Sequence, residues 1–246
     1  MFGVRDVLFA LLGGRCQACG ASMAGTLDAE SLVRLCAHCQ PLLMPRRGGY
    51  CPLCGEMVAD QGAVPLVCGR CRRDPPPWSG LAFFGSYAGL LRDLLTGFKF
   101  NSRLGLGRLL QALAVEAYAL HGACWERPEL VIPVPLHPRR LRARGFNQSL
   151  ETSRLLAREL GVPVGAEVLR RCRHTRPQVS LPARERRENV QGAFVADEAA
   201  VLGRRILLVD DIMTTGGTLR ECARTLRRAG ASNVSALVIA RTAADG

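Results

Sequence analysis

Residues 206–219 read ILLVDDIMTTGGTL: an apolar run, an acidic pair, two spacers, then Thr-Thr-Gly-Gly-Thr. The run Ile206 to Val209 suits a strand buried on both faces, as a parallel sheet covered by helices requires. Such a strand delivers Asp210 and Asp211 to its carboxyl end, the rim where open α/β sheets bind ligands. Gly216 and Gly217 let the backbone approach a ligand closely. Thr218 and Leu219 open the next helix, whose first N–H groups cradle phosphate. Carboxylates beside such a cradle repel phosphate but suit sugar hydroxyls or a hydrated Mg²⁺. The stretch therefore implies a sugar phosphate held on an α/β frame.

The surrounding pattern agrees. Strands are predicted at Leu81–Tyr87, Leu130–Val134, near Val168–Arg171, at Ile206–Val209 and at Val234–Ala240. Between them, apolar spacing predicts helices over Leu90–Phe98, Gly107–Leu120, about Gln148–Leu160 and Gly217–Ala229. This alternation predicts an α/β fold, a mostly parallel sheet with helices on both faces. Residues 1–13 suit a short amphipathic helix, and Pro75-Pro76-Pro77 a stiff linker. The expected division is a cysteine-rich module at 1–74, a linker at 75–80 and the α/β domain at 81–246.

Eight of the 11 cysteines form four CxxC knuckles: Cys16/Cys19, Cys36/Cys39, Cys51/Cys54 and Cys68/Cys71. Two thiolates at this spacing grip one side of a tetrahedral Zn²⁺, and a second knuckle completes the ligand set, so four knuckles imply two structural zincs. Spacing allows sequential or crossed pairing; tandem ribbons with sequential pairing are expected. Gly20 and Gly55 follow two knuckles, where N–H donation to sulfur is expected. His38 lies inside a knuckle with all four ligands already supplied and reads as a surface residue. Cys124, Cys172 and Cys222 have no CxxC partner and read as packing residues.

The chain has 246 residues, 48% of them hydrophobic, and a net charge of +12. That suits a folded protein with one medium and one small unit. No apolar stretch is long enough to cross a bilayer, and Val7–Leu12 is short for a signal segment, so a cytoplasmic location without membrane insertion is expected. Lys99 is the sole lysine among 33 basic residues. Coding bias accounts for much of this arginine use, yet arginine also binds phosphate bidentately. From Leu130 to Val190 there are 13 arginines against 5 glutamates, a segment suited to polyanions.

Residues 131–149, VIPVPLHPRRLRARGFNQS, predict a strand running into a proline-stiffened loop. That loop bears Arg139, Arg140, Arg142 and Arg144, and Asn147 is placed to cap the following helix. The polar stretch Arg173–Asn189 reads as a solvated loop.

The segment 206–219 resembles the phosphoribosyl-diphosphate (PRPP) motif of type I phosphoribosyltransferases. The resemblance implies that Asp210 and Asp211 take the ribose hydroxyls, while Thr214, Thr215, Gly216, Gly217 and Thr218 take the 5-phosphate with Mg²⁺ accompanying PRPP. It also assigns the loop after the first core strand to pyrophosphate. The Pro-Val-Pro-Leu-His and Arg-Gly-Phe-Asn-Gln segments differ from the usual nucleobase-enzyme loop and resemble the ComF family of competence proteins. So do the zinc knuckles, Phe98-Lys99-Phe100, His174 to Gln178, and the run Arg187, Asn189, Gly192 to Phe194.

This second resemblance implies a double zinc ribbon ahead of a type I phosphoribosyltransferase-like domain. The implied role is DNA uptake in natural transformation, with PRPP and single-stranded DNA as ligands and a competence helicase or other DNA-uptake protein as partner. By the same resemblance Arg173–Asn189 reads as a lid over PRPP or a groove wall for single-stranded DNA. Residues assigned to a pyrophosphate loop or lid are Lys99, Arg139, Arg140, Arg144 and Arg176. For nucleic acid they are Arg139, Arg140, Arg142, Arg176, Arg184 and Arg187, with Phe98, Phe100 and Phe146 available for base stacking. The rival expectation is an active phosphoribosyltransferase in which Asp210 and Asp211 are catalytic. Thr214 then stands where some purine enzymes need a carboxylate beside the base.

Overall fold

The computed structural model describes residues 14–23, 33–100, 104–173 and 189–243. Its centre is a four-stranded, wholly parallel sheet of β3 (Leu81–Ser86), β4 (Leu130–Pro133), β7 (Arg205–Met213) and β8 (Asn233–Arg241). The strand order is β3-β8-β7-β4. Ile206, Leu207, Leu208 and Val209 are each at most 1% exposed, because β7 is an inner strand with helices on either face. Full burial of each such side chain stabilises by roughly 1.5–3 kcal/mol.

Side chains alternate along the strands and so divide the core into two layers. Leu207 and Val209 pack with Leu237 and Ile239 beneath helices α2 (Gly89–Phe100), α3 (Gly107–His121) and α5 (Gln148–Leu160). Ile206 and Leu208 pack with Val234, Ala236 and Val238 against α7 (Gly217–Arg228). Leu219, Cys222, Ala223 and Leu226 form the apolar stripe of α7.

Two expectations are corrected here. The arginine-bearing segment is not a loop: Pro138–Arg144 forms a helix, α4. Pro138 sits in its first turn, where its missing N–H costs nothing and its fixed φ favours helix. His137 accepts from the Arg139 N–H at the start, and Gly145 ends the helix in the left-handed region at φ 83°. The second correction concerns β5 (Leu169–Arg171), which stays out of the parallel sheet. It pairs antiparallel with β6 (Phe194–Ala196), and a one-turn helix, α6 (Glu198–Val201), then leads into β7. Residues 1–13, predicted helical, lie outside the described residues.

The cysteine-rich segment contains a small antiparallel pair, β1 (Gly14–Arg15) with β2 (Ser22–Met23), and a short helix, α1 (Gly69–Arg73). It is fastened to the flank of β3. The Leu81 N–H donates to the Pro52 carbonyl at 2.9 Å, and the Arg46 N–H to the Phe84 carbonyl at 2.7 Å, so the outer edge of the sheet is covered. Tyr50 places its ring edge-on to Phe83 and its hydroxyl 2.8 Å from His121 Nδ1. The proline segment is docked as well. Trp78 is buried, its indole N–H donates to the Leu53 carbonyl, and the Arg220 guanidinium on α7 lies over its ring, 5.8 Å from the centroid.

Candidate functional site

At the carboxyl edge of the sheet lies a cavity of about 870 Å³. It exists because β7 outruns its neighbour: β4 pairs with it only as far as Pro133 and Val209, while β8 follows it to Met213. Asp210 and Asp211 occupy the stretch left uncovered on the β4 side and form the cavity floor. Two helix amino termini face it. Gly217, Thr218 and Leu219 open α7 after Gly216, which holds the left-handed φ of 75° that this tight approach requires. Across the cavity, Asn147 caps α5 by accepting from the Ser149 N–H, as expected, and its amide donates to the Val134 carbonyl.

The acidic pair is held by a defined set of donors. The Ser149 hydroxyl donates to Asp210 Oδ1 at 2.9 Å, and the Asp211 N–H donates to the same oxygen at 2.9 Å. Asp211 accepts the Ile212 N–H on Oδ1 at 2.8 Å and the Lys99 ammonium on Oδ2 at 2.9 Å. Burial and the adjacent Asp211 carboxylate push Asp210 up to about 7, against the opposing pull of Lys99, Ser149 and the backbone. Burial disfavours charge on Lys99, but Asp211 more than offsets this and raises its pKa.

Facing the acids is a cationic wall. Arg140 and Arg144, one helical turn apart on α4, line the cavity together with Arg171 from β5. Burial lowers all three pKa values; the Arg144 charge lowers Arg140 further, and Arg140 does the same to Arg171. Arg144 donates to Gln148 Oε1 at 2.8 Å, and Arg171 lies 5.4 Å from the centroid of the Phe194 ring. Tyr87, Thr96 and Phe146 also line the cavity. A carboxylate floor, two helix amino termini and a guanidinium wall together accommodate a ligand carrying hydroxyls between two anionic ends.

Of the expected residues, Asp210, Asp211, Thr214, Gly216, Gly217, Thr218, Lys99, Arg140 and Arg144 line this one cavity. Thr215 is exposed and outside it, as are Arg139 and Arg142, which point from α4 to solvent. Arg176, Arg184 and Arg187 lie outside the described residues, as does most of the Arg173–Asn189 stretch. Phe98 is corrected: it is 4% exposed and packs on Phe146 at 5.0 Å, so it belongs to the core rather than to a stacking surface. Ser149, Gln148 and Arg171 were not singled out by sequence. Ser149 carried a usable signal, since it follows the Asn147 cap on a helix aimed at the strand ends.

The cysteines form two clusters from sequential knuckles: Cys16, Cys19, Cys36 and Cys39, then Cys51, Cys54, Cys68 and Cys71. In each, the four Sγ atoms lie within 4.8 Å of one another. Cys19–Cys36 and Cys54–Cys68 are 3.7 Å apart, far beyond a disulfide and close to the edge of about 3.8 Å that a tetrahedron of 2.3 Å Zn–S bonds requires. Burial opposes ionisation of Cys16, yet N–H groups of Cys19, Cys36 and Ala18 hold it down at about 6. Cys39, buried against the same thiols, is pushed up to about 12. Burial first, then hydrogen bonding with the Cys19, Cys36 and Cys16 thiols and last the Cys16 charge set Cys39 apart from Cys16, and the four-thiol donor set fits a soft divalent metal.

Gly20 and Gly55 turn each first knuckle at positive φ, but their N–H groups donate to the carbonyls of Cys16 and Cys51 rather than to sulfur. Cys222 is buried as expected, whereas Cys124 and Cys172 are exposed; His38 is exposed as expected. Among the described residues, no helix is long and apolar enough to cross a membrane.

Fold and site together define a type I phosphoribosyltransferase-like α/β protein preceded by two tetracysteine clusters; residues 147–246 match the family model described as phosphoribosyl transferase domain. Competence protein F of Haemophilus influenzae is 32% identical over 222 residues, covering 84% of this chain and 96% of the relative. DNA utilization protein YhgH of Escherichia coli (strain K12) is 38% identical over 196 residues, 78% of this chain and 84% of the relative. The chain belongs to the ComF family. Among solved structures, the glutamine PRPP amidotransferase from B. subtilis, complexed with ADP and GMP, aligns with a TM-score of 0.40 at 20% identity. That alignment covers 58% of this chain and 30% of the larger one.

Proposed function

We propose that this protein acts in DNA uptake, binding PRPP in the cavity and single-stranded DNA on its arginine-rich surface. The observation that carries the reading is the position of Asp210 and Asp211 between two helix amino termini, with Ser149 and Lys99 orienting their carboxylates. The acids accept the ribose 2- and 3-hydroxyls. Thr214, Gly216, Gly217 and Thr218 at the α7 start take the 5-phosphate, and Arg140 and Arg144 face the diphosphate. The names and coverage of the relatives support the DNA-uptake role. Arg139 and Arg142, exposed on the outer side of α4, supply sequence-independent phosphate contacts just beside the cavity mouth.

Zn²⁺ is assigned to both cysteine clusters on the sulfur spacings and on the four-thiol donor sets. It stabilises the ribbons when bound and takes no part in ligand chemistry. The assignment divides the chain into a metal-binding module at 1–74, a linker at 75–80 and the PRPP-binding domain at 81–246. The cytoplasm, where PRPP would be at hand, is the proposed location, with a competence helicase as the proposed protein partner.

A second reading, an active phosphoribosyltransferase, is favoured by the cavity's size and by the aromatic side chains Tyr87 and Phe146 in its lining, which suit a planar nitrogen acceptor. Calorimetric titration of PRPP into wild type and the Asp210→Ala/Asp211→Ala variant tests the main reading. Binding to wild type alone is expected, and equal or absent binding in both rejects it. Pyrophosphate release with a panel of bases separates the enzyme from the binding protein.

A further inference from the structure

Lysine occurs once among the 33 basic residues, and it stands in the cavity. Lys99 lies at the carboxyl end of α2, its Nζ 2.9 Å from Asp211 Oδ2. The two side chains keep only 24% and 11% of their accessible surface. An ammonium is a compact point charge, and it seats against one carboxylate oxygen where a planar guanidinium demands a fork. The remaining contacts of the pair are made by the protein too: Asp211 Oδ1 by the Ile212 N–H, Asp210 Oδ1 by Ser149 and the Asp211 N–H.

A carboxylate pair captures a hydrated divalent cation through oxygen lone pairs and net negative charge. Here three of the four oxygens have protein donors, and half of the charge is cancelled by a tethered cation. Mg²⁺ therefore fits this floor poorly as a protein-held ion. To bind alone it would have to sit beside the ammonium, at Coulombic cost, or displace it and leave a half-buried charge without its partner.

We infer that Lys99 is a built-in counter-cation that closes the Asp210–Asp211 pair to free divalent metal ions, so the floor selects ligands by their hydroxyl groups. A divalent ion then enters only on an anionic ligand that supplies its own oxygens. This last clause rests on the PRPP reading; the exclusion of free ions does not.

Mn²⁺ binding followed by electron paramagnetic resonance tests the exclusion without any activity assay. Three proteins are compared, wild type, Lys99→Met and Lys99→Met/Asp211→Asn, with Lys99→Arg as a folded control that keeps a cation. Lys99→Met is expected to bind one Mn²⁺ about tenfold or more tightly than wild type, and to lose that gain when Asp211 is also neutralised. Lys99→Arg is expected to stay close to wild type. Equal Mn²⁺ affinity in wild type and Lys99→Met overturns the inference, as does a gain that survives Asp211→Asn. Mn²⁺ is then titrated with PRPP present. If wild type excludes free Mn²⁺ but gains none with PRPP, the counter-cation role stands and the PRPP reading fails.

Discussion

Arg241 and Cys54 are 187 residues apart in the chain, and the guanidinium of the first donates to the carbonyl of the second at 2.9 Å. Arg241 ends β8 and is 3% exposed. Its other nitrogens reach the Met213 carbonyl at 3.4 Å and the Glu56 carboxylate at 3.6 Å. Met213 is the last residue of β7, directly before the Thr214–Thr218 segment. One buried side chain thus ties the second cysteine cluster to the strand that carries Asp210 and Asp211. Gly55 makes room for it: at φ 65°, a Cβ there would press on Leu81 at 3.1 Å and on Arg241 at 3.3 Å.

Arg241→Met should destabilise the protein by about 1–3 kcal/mol, because it leaves the Cys54 carbonyl without its donor, whereas the Met213 carbonyl keeps the Thr242 N–H and the Glu56 carboxylate keeps Arg70. A urea denaturation midpoint measures this, with bound metal counted in parallel. The affinity for ribose 5-phosphate should change little, since the Thr242 N–H still holds the Met213 carbonyl at the start of the phosphate segment. An unchanged midpoint would show that the tether contributes nothing.

Metal removal should affect the two clusters unequally. Wild type should hold two equivalents of zinc by elemental analysis, and Cys54→Ser and Cys19→Ser should each hold one. Losing the second cluster frees the backbone that hydrogen-bonds Leu81 and Trp78, exposing the edge of β3 and slackening the Arg241 tether. Limited proteolysis should therefore open the α/β domain of Cys54→Ser faster than that of Cys19→Ser. The first cluster packs instead, through Cys16, Ala18 and Cys39, with the layer beneath α2 and α3. The same cleavage rate in both variants would contradict this asymmetry.

Much of this arrangement was legible in local sequence. Ile206 to Leu219 announced the strand, the acids and the helix start, because each step follows from a few adjacent residues. The knuckles likewise announced their clusters, since ligand geometry is set by two-residue spacing. Helix α4 was hidden by Pro133, Pro135 and Pro138, which read as loop-forming. Only Pro138 belongs to the helix, in the first turn, and Gly145 as a left-handed terminator was the overlooked signal. The Lys99–Asp211 and Arg241–Cys54 contacts had no local signature. They are made by tertiary packing of elements 112 and 187 residues apart.

Helix α4 divides its arginines by face, and function should divide with them. Arg139→Ala/Arg142→Ala should weaken single-stranded DNA binding and flatten the slope of log K against log salt, by roughly 0.7 for each phosphate no longer neutralised. PRPP affinity should be nearly unchanged in that variant. Arg140→Ala/Arg144→Ala should do the reverse, losing PRPP first, because both side chains line the cavity. Filter retention across a salt series, paired with PRPP calorimetry, distinguishes them. Equal losses of both ligands in both variants would mean that DNA and PRPP share one surface.

Asp210 sets the pH dependence, and its sign is opposite to that of an ordinary salt-bridged carboxylate. Burial first, and then the Asp211 charge, raise it to about 7 in the folded protein, whereas in the unfolded chain it titrates near about 3.9. Between those values the folded state binds the extra proton, so the stability contributed by Asp210 falls as pH rises through the window and is level above it. Hydroxyl donation by a bound ribose requires the ionised carboxylate, so ligand affinity should move the other way. It should climb from about pH 6 to about pH 8 and release a proton on binding at the low end. Asp210→Asn keeps the shape and removes the titration. Ribose 5-phosphate affinity in that variant should retain only the pH dependence of the ligand's own phosphate. Superimposable profiles for wild type and Asp210→Asn would show that Asp210 does not accept the ligand's hydroxyl.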